Sequence, residues 1–512
     1  LAAGSPVIIK PSRQARRSGA VMVEALWEAG VPRDVLSFVQ LADNALGERL
    51  ISHPSVERVI LTGGYETAEL FRSFRKDLPL LAETSGKNAI IVTPSADLDL
   101  AVKDVVASAF GHAGQKCSAA SLVVLVGSVA TSQRFRNQLL DAVSSLAVGY
   151  PADATTQMGP IIEPARGKLK NALTSIESGQ TWLIEPRQLD DSGKLWSPGV
   201  RDGVQRGSEY HRVEYFGPIL GIMTAKTLDE AIAIVNDIDY GLTSGLHSLD
   251  AGEINQWLTH IEAGNLYVNR GTTGAIVQRQ PFGGWKKSAV GAGTKAGGPN
   301  YLIGLGTWTP AEARIAPAST ITPLEDAFGG TPAERAMLAR AFASDAQAWA
   351  AEFGAATDRS GLSAERNVFR YRPRHAHVRL SEGQPLVSLI RVLGAAKRAG
   401  ATVTVSSAVA VPRHVAQAAG HLVGDVTVES DEAFAARVGA LGHDRFGTRI
   451  RLIGGTTELV AEATNGSPDV AIYAGAVTEA GRIELLPFVQ EQAVSVTAHR
   501  FGTPNHLTDG FL

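Results

Sequence analysis

Short apolar runs alternate with helical segments in the first part of the chain. These strand-like and helical segments are, in order, Val7–Ile9, Ala20–Ala29, Val35–Val39 and Val56–Leu61. Apolar runs of this length, separated by helices, are typical of parallel βαβ units whose strands are buried on both faces. Residues 1–86 are therefore predicted to form part of a doubly wound α/β domain.

A second α/β region is predicted for residues 87–308. Its clearest segments are the strands Ala89–Val92 and Ser121–Val126, the acidic helix Leu228–Asp239 and the glycine-rich run Pro281–Gly298. Four prolines among small residues between positions 309 and 332 have the composition of a linker, so a domain boundary is predicted there.

Residues 333–512 show the α/β alternation again. A predicted helix, Pro385–Ala399, ends at Gly400, and the predicted strands that follow are Thr402–Val405, Arg449–Ile453 and Val470–Tyr473. This region contains no cysteine, and it has no lysine or pair of carboxylates in a catalytic spacing. A third, non-catalytic unit is therefore expected.

Composition narrows the functional class. The 512 residues are 44% hydrophobic and carry a formal net charge of −3, which indicates a globular protein without a general attraction to nucleic acid. No apolar stretch approaches the roughly 20 residues that cross a bilayer. The chain has one cysteine, which suits a reducing compartment, and a cytoplasmic location is expected. Because the chain starts at Leu1 within a strand-like pattern, we expect it to be truncated at its N-terminus.

The single cysteine, Cys117, lies in Gly-His-Ala-Gly-Gln-Lys-Cys-Ser, between a predicted helix and an apolar strand. A cysteine on such a turn is a candidate nucleophile, although a buried structural cysteine is the commoner case. Glu83, at the end of an earlier apolar segment, is a candidate base for it.

Four segments stand in a fixed order around these residues. They are Glu83-Thr-Ser-Gly-Lys, Gly-Gln-Lys-Cys117, Glu214-Tyr-Phe-Gly-Pro and Pro-Phe282-Gly-Gly. Residues 1–308 thereby resemble the aldehyde dehydrogenase superfamily, which implies a partial Rossmann-like NAD domain followed by an α/β catalytic domain. The resemblance implies that Cys117 is the nucleophile and Glu83 the general base.

The same resemblance implies a set of cofactor contacts. Lys10 and Ser12 would lie near the adenosine ribose, Thr62, Gly63 and Gly64 would form the turn beneath the pyrophosphate, and Glu214 and Phe216 would bind the nicotinamide ribose and ring. Gly64 replaces the family's usual serine, and Arg13 stands where an acidic residue is common. NAD is therefore expected, and NADP is not excluded.

The segment from Gly264 to Gly284 resembles the aldehyde-anchor loop of L-glutamate γ-semialdehyde dehydrogenases, also called Δ1-pyrroline-5-carboxylate dehydrogenases. This resemblance implies that Ser118 and the backbone amides of Gly274 and Ala275 bind the substrate carboxylate, with Phe282 beside them. No metal site is expected.

Residues 309–512, and especially the ending Glu491–His506, resemble the C-terminal domain of bifunctional proline utilization A proteins. In that group the domain is a non-catalytic relative of the same fold and covers the dehydrogenase active site. The resemblance implies an upstream proline dehydrogenase domain that holds FAD, and a homo-oligomer is expected. His499, Arg500 and His506 are expected to make surface or interdomain contacts.

One expected part of the family site is missing from the chain. The side-chain amide of the oxyanion hole comes from an asparagine segment that precedes the Lys10 region in the family, and residues 1–512 contain no such segment. Losing one such donor costs on the order of 10²–10³ in rate.

Three alternatives to L-glutamate γ-semialdehyde oxidation stay open at this stage. The chain could act on another small aldehyde, such as succinate semialdehyde. It could be a catalytically incomplete binding or assembly piece. A cysteine hydrolase that uses His112 is the weakest alternative, because the sequence does not show an orienting partner.

Overall fold

The computed structural model describes residues 1–311, 315–316, 322–420, 423–441 and 444–512. Two small sheets with flanking helices form the first region. Its elements are β1 (Val7–Ile9), α1 (Arg16–Glu28), β2 (Leu36–Phe38), α2 (Asn44–Ser52), β3 (Val59–Thr62), α3 (Tyr65–Phe74) and β4 (Leu80–Glu83).

The prediction that strands in this region are buried on both faces is wrong. Ile8 in β1 and Ile60 in β3 are both more than half exposed. Among the described residues, β1 pairs only with β2, whereas β3 pairs with β4 and β4 with β14, so each sheet is narrow.

Residues 87–308 form most of the central sheet and the helices that cover it. Their elements are β5 (Asn88–Val92), α4 (Leu98–Phe110), β6 (Ala120–Val126), α5 (Gln133–Ser144), α6 (Gly167–Thr174), β7 (Thr181–Ile184), β8 (Gly199–Asp202), α7 (Glu209–Arg212), β9 (Ile219–Ala225), α8 (Leu228–Asn236), β10 (Tyr240–Gly241), β11 (Thr243–His247), α9 (Ala251–His260), β12 (Asn265–Val268), β13 (Trp285–Lys286) and β14 (Ala289–Val290).

The remaining elements lie beyond residue 322. They are α10 (Pro323–Phe328), α11 (Pro332–Ala348), β15 (Thr357–Asp358), β16 (Glu365–Pro373), β17 (Ala376–Leu380), α12 (Leu386–Ala399), β18 (Val403–Ser407), α13 (Arg413–Ala418), β19 (Thr427–Val428), α14 (Asp431–Gly439), β20 (Thr448–Ile453), α15 (Thr457–Ala463), β21 (Val470–Tyr473), α16 (Gly481–Glu484), β22 (Val489–Thr497), β23 (His499–Arg500) and β24 (Thr503–Pro504).

The predicted linker is partly helical. α10 lies inside it, is capped by Thr322 and buries Leu324 against the C-terminal core. Proline is compatible with the first position of a helix, so the proline-rich composition of this segment does not exclude α10. Residues 312–314 and 317–321 of the predicted linker lie outside the described residues.

The central sheet crosses the predicted boundary. Among the described residues, ten strands form it in the order β15-β16-β22-β12-β11-β5-β6-β9-β8-β7. β22 pairs in parallel with β12, with Leu266 opposite Val494, and β16 pairs antiparallel with β22. Three strands from the described part of residues 333–512 therefore extend the sheet that is formed mainly by residues 87–308. The division into domains otherwise stays a prediction.

Among the C-terminal residues that the structure describes, β23 pairs antiparallel with β24, and five other strands form a parallel sheet in the order β19-β18-β17-β20-β21. In chain order this is the 3-2-1-4-5 arrangement of doubly wound folds, in which ligands bind at the carboxyl ends of the two strands where the order reverses. At that point Gln384 packs against Gly454, where an added Cβ would lie 2.4 Å from its Cγ, and Ser381 packs against Gly455. Gln384 and Ser381 therefore pack closely on the glycine turn at this end of the sheet.

None of the described helices is long and apolar enough to cross a membrane.

The pairing of β12 with β22 predicts a stability effect. Leu266 is fully buried in β12, so Leu266→Ala should lower the free energy of unfolding by about 2–5 kcal/mol through lost burial and a residual cavity. Urea denaturation followed by circular dichroism measures the change. Leu302→Ala, the same truncation at a half-exposed position, should change stability by less than about 0.5 kcal/mol. Equal effects of the two substitutions would contradict the described packing.

Candidate active site

Cys117 lies on a turn between α4 and β6, as the sequence predicts. α4 ends at Phe110, and the chain then turns through three left-handed residues, His112, Ala113 and Gly114. At Gly114 a side chain is excluded, since a Cβ would lie 2.2 Å from the carbonyl oxygen of Gly217. The backbone of the cysteine turn therefore packs directly on the Glu214–Pro218 loop.

Asn88, the first residue of β5, fixes the turn from the other side. Its amide nitrogen donates to the carbonyl oxygens of Cys117 at 2.7 Å and Ala119 at 2.9 Å. Its amide oxygen accepts from the backbone nitrogen of Thr243 at 3.0 Å. Because Asn88 is buried, its amide satisfies three backbone groups that water does not reach.

Glu83 and Cys117 form a contact pair. Glu83 is the last residue of β4, and its carboxylate accepts a hydrogen bond from the thiol of Cys117. Burial, and then the negative charge of Glu83, raise the pKa of Cys117 to about 11, while the backbone amide of Ser118 opposes the shift. The resting thiol is therefore protonated at neutral pH, and Glu83 is the group placed to receive its proton.

Burial also raises the pKa of Glu83 above its usual range, and Lys295 and the Cys117 hydrogen bond oppose this rise. The backbone of Glu83 is held by sheet pairing, opposite Thr62 of β3 and Ala289 of β14. A raised carboxylate pKa beside a thiol is the setting expected of a general base that works near neutral pH.

Glu214 lies on the loop that packs against the cysteine turn. Its carboxylate accepts from the backbone nitrogen of Gly86 at 3.0 Å and from the side chain of Ser85. Gly86 must lack a side chain, because a Cβ there would lie 2.8 Å from the carbonyl oxygen of Cys117. The segment from Glu83 to Asn88 thus contacts two of the three other predicted site segments, those of Cys117 and Glu214.

The ammonium of Lys87 is buried beneath this loop. It lies 4.0 Å from the ring centre of Tyr210 and 5.3 Å from that of Tyr215, and the two rings are stacked. Burial lowers the pKa of Lys87 to about 7, and Glu214 is one of the carboxylates that oppose the shift. The cation–π contacts of Lys87 with these two rings stabilise the loop that carries Glu214.

Phe216 is 41% exposed and has a left-handed backbone, with φ of 56°. Gln115 holds this conformation, since its amide nitrogen donates to the carbonyl oxygen of Phe216 at 3.1 Å and its amide oxygen accepts from Ile162. The ring therefore faces outward at the mouth of the site.

The predicted anchor loop has an exposed tip and pinned ends. Gly274 and Ala275 are exposed, with Gly274 at a positive φ of 88°. At one end the hydroxyl of Thr272 donates to the carbonyl oxygen of Ser118, which is buried beside Cys117. This bond ties the loop to the cysteine turn.

At the other end of the loop, Gln280 is buried. Its amide nitrogen donates to Asn367 in β16 at 2.7 Å and to Ser495 in β22 at 3.0 Å, and its amide oxygen accepts from Ile276. The C-terminal strands therefore hold the anchor loop. Phe282, half-buried just beyond, exchanges two backbone hydrogen bonds with Ala296.

The predicted cofactor residues lie in two groups. Thr62, Gly63 and Gly64 lead from β3 into α3, and the amide of Gly63 donates to the carbonyl oxygen of Glu83 at 3.2 Å. No side chain caps the start of α3 at Gly64, so its first amides are available to an anion. Lys10 and Ser12 lie exposed after β1, and within the described structure no hydrogen bond joins them to the other site residues.

The sequence analysis missed three residues that position the site: Asn88, Gln115 and Gln280. Each acts through side-chain bonds to distant backbone or to another strand. Gln115 lies inside the motif that carries Cys117, and Asn88 directly follows the motif that carries Glu83, which is a signal that could have singled them out. Gln280 carries no comparable signal, because its partners lie about 90 to 215 positions away.

Arg500 and His506, near the C-terminus, each contact a carboxylate. Arg500 pairs with Asp97 at 3.1 Å, and His506 contacts Asp509 at 2.8 Å. The described part of the chain contains no group of three residues that could hold a metal ion.

Comparisons with known proteins agree with this geometry. A family model described as the aldehyde dehydrogenase family matches residues 1–303. The 1-pyrroline-5-carboxylate dehydrogenase of Bacillus cytotoxicus is 35% identical over 311 residues, which cover 59% of this chain and 60% of the relative. The chain therefore spans about 60% of the length of this curated relative.

Solved structures extend the likeness to the C-terminal region. Proline utilization A from Corynebacterium freiburgense matches with a TM-score of 0.83 and 45% identity, covering 98% of this chain and 48% of that one. The 1-pyrroline-5-carboxylate dehydrogenase from Thermus, solved with bound NAD, matches with a TM-score of 0.54 and 34% identity over 59% of each chain.

The pairing of Glu83 with Cys117 predicts the pH dependence of thiol reactivity. In Glu83→Gln the carboxylate charge that raises the thiol pKa is gone, so the pKa of Cys117 should fall by roughly one unit. At pH 8, which lies below the thiol pKa of both the parent and the variant, alkylation by iodoacetamide should therefore be about tenfold faster in Glu83→Gln. Because the chain has one cysteine, mass spectrometry reads this site alone. The exposed Glu185→Gln is the control, and an unchanged rate in Glu83→Gln would contradict the pairing.

Proposed function

Since the chain belongs to the aldehyde dehydrogenase family, we propose that it is the aldehyde-oxidising part of a proline-degrading enzyme. The reaction is NAD-dependent oxidation of L-glutamate γ-semialdehyde to L-glutamate, the second step of proline catabolism. The observation that carries the proposal is the contact of the Cys117 thiol with Glu83, beside a loop that carries Glu214.

The chemistry begins at the thiol. Glu83 accepts the proton of Cys117, and the thiolate sulfur attacks the aldehyde carbon to give a thiohemiacetal. The backbone amides of Cys117 and Ser118 already donate toward the sulfur, so they stand beside the developing oxyanion. After oxidation to the thioester, Glu83 loses its first proton to solvent and takes another from the attacking water, whose oxygen adds to the thioester carbon. The carbon–sulfur bond then breaks to release the acid, and the Cys117 thiolate takes back a proton from Glu83.

The residues present fit NAD, which when bound accepts the hydride from the thiohemiacetal. The uncapped start of α3 at Gly64 suits a pyrophosphate, and the buried carboxylate of Glu214 suits a ribose diol. Lys10, Ser12, Thr62 and Gly63 are proposed to complete the cofactor contacts, with Phe216 at the nicotinamide ring. Use of NADP stays open.

The substrate's α-carboxylate is proposed to lie between Ser118 and the exposed amides of Gly274 and Ala275, with Phe282 nearby. The support for this assignment is the tie between Thr272 and Ser118, which brings the anchor loop to the nucleophile. Consecutive backbone amides bind a carboxylate without a buried cation.

The Corynebacterium likeness also supports proposals about the whole protein. An upstream proline dehydrogenase domain with FAD would supply the aldehyde after ring opening, and the assembly would be a homo-oligomer in the cytoplasm.

Cys117→Ala should abolish aldehyde oxidation while leaving NAD binding intact. The assay is NADH formation at 340 nm with L-glutamate γ-semialdehyde, using this chain beside a version extended upstream through the asparagine segment of the family. Turnover by only the extended version would fit a missing oxyanion donor. Retained turnover in Cys117→Ala would exclude this cysteine as nucleophile.

Substrate preference gives an independent test. The value of kcat/KM for L-glutamate γ-semialdehyde should be more than tenfold higher than that for succinate semialdehyde. Succinate semialdehyde has no α-amino group, and its carboxylate lies one carbon nearer the aldehyde. A preference for succinate semialdehyde would replace the substrate assignment and leave the family chemistry in place.

A further inference from the structure

A buried lysine that the proposed mechanism does not use lies behind Glu83. Lys295 belongs to the glycine-rich run and is 1% exposed. Its ammonium donates to the amide oxygen of Asn265 at 2.9 Å and to the carbonyl oxygen of Gly283. Both acceptors are neutral, so a charged ammonium here needs a carboxylate nearby to be stable.

One carboxylate that meets this need comes from the C-terminal region. Glu491 in β22 is buried, and it accepts from the backbone nitrogen of Lys295 at 2.6 Å and from the amide of Asn300 at 2.8 Å. Burial lowers the pKa of Lys295, whereas Glu491 and Glu83 both raise it. Two acidic groups, one from each half of the chain, therefore favour the charged form of Lys295.

The effect on Glu83 is reciprocal. The groups that face Glu83 are the thiol of Cys117, the ammonium of Lys295 and the phenol of Tyr301, whose pKa Glu83 raises. Lys295 is the cation among them. Beyond Lys295, the carboxylate of Glu352 acts on Glu491, and its partner Tyr371 also contacts Asn300.

Glu83 has to be ionised to take a proton, first from the thiol and later from water. A buried carboxylate whose neighbouring cation is removed becomes a weaker acid and spends more of its time protonated. Lys295 is also bonded through Asn265 and Gly283 to the segment next to Phe282, so its ammonium has a fixed position.

We propose that Lys295 is a positioning residue of this site. Its ammonium is held by Asn265 and Gly283, its backbone nitrogen is held by Glu491, and it keeps the Glu83 carboxylate ionised for thioester hydrolysis. This inference rests on the proposed function. It also gives the C-terminal region a specific part in the chemistry, because Glu491 stabilises the charge on Lys295.

The test compares Lys295→Met, Lys295→Arg and Lys287→Met in the version of the enzyme that turns over. Lys287 is half-buried in the same run and pairs with Asp239, so Lys287→Met is the matched control. The readouts are the pH profile of kcat and the NADH burst in the first turnover, with thermal unfolding as a check on folding.

In Lys295→Met the acidic limb of the kcat profile should move up by one unit or more. At pH values below that limb, kcat should fall at least tenfold while the NADH burst persists, because hydrolysis has become limiting. Lys295→Arg should restore the limb, and Lys287→Met should leave the profile unchanged. Absence of NADH formation from the parent enzyme would instead reject the proposed function.

If Lys295→Met lowers kcat but leaves the acidic limb of the pH profile where it was, Lys295 has only a structural role and the proposal is overturned. If Lys295→Met does not fold, Glu491→Gln gives a second test, in which the acidic limb of the kcat profile should also move to higher pH. A third measurement needs no turnover. If the proposal holds, Lys295→Met raises the pKa of Glu83 and should speed alkylation of Cys117 at about pH 6, below the pKa of about 7 of Lys295, whereas an unchanged alkylation rate counts against it.

Discussion

The site depends on close backbone packing around Asn88. Its amide bonds the carbonyl oxygens that precede and follow Ser118, and the two glycines Gly86 and Gly114 let the three loops of the site approach to within van der Waals distance. A larger side chain at either glycine would separate Cys117 from Glu83 or Glu214. The positions of the reactive groups therefore follow from a few neutral hydrogen bonds and from the absence of two methyl groups.

Electrostatics at this site follow from burial rather than from a strong ion pair. Desolvation is the largest influence on the pKa of Cys117, Glu83, Glu214, Lys87 and Lys295. Each group is stable in the interior only because a neighbour of opposite charge or a backbone amide compensates part of that cost. Removing one charge is therefore expected to shift the protonation of the others.

Local patterns predicted much of the fold and part of the site. The strand Val470–Tyr473 has the predicted bounds, and Cys117 lies on the predicted turn, since both follow from apolar periodicity and turn residues. The resemblance to a family was needed to connect Glu83, Cys117 and Glu214. An apolar run shows that a strand is present but not what covers it. For this reason the prediction that β1 and β3 are buried on both faces was wrong. The pairing of β12 with β22 and the burial of Lys295 depend on contacts between distant segments, and no local signal marks them.

The position of β22 near the end of the chain has a consequence for synthesis. About 220 residues separate the end of β12 from the start of β22. At ribosomal rates of about 5–20 residues per second, the open edge of β12 waits roughly 10–45 s for its partner. Unpaired strand edges are templates for association with other chains. The nascent protein is therefore expected to rely on chaperones during this interval, and the central sheet should be completed only after β22 has been synthesised.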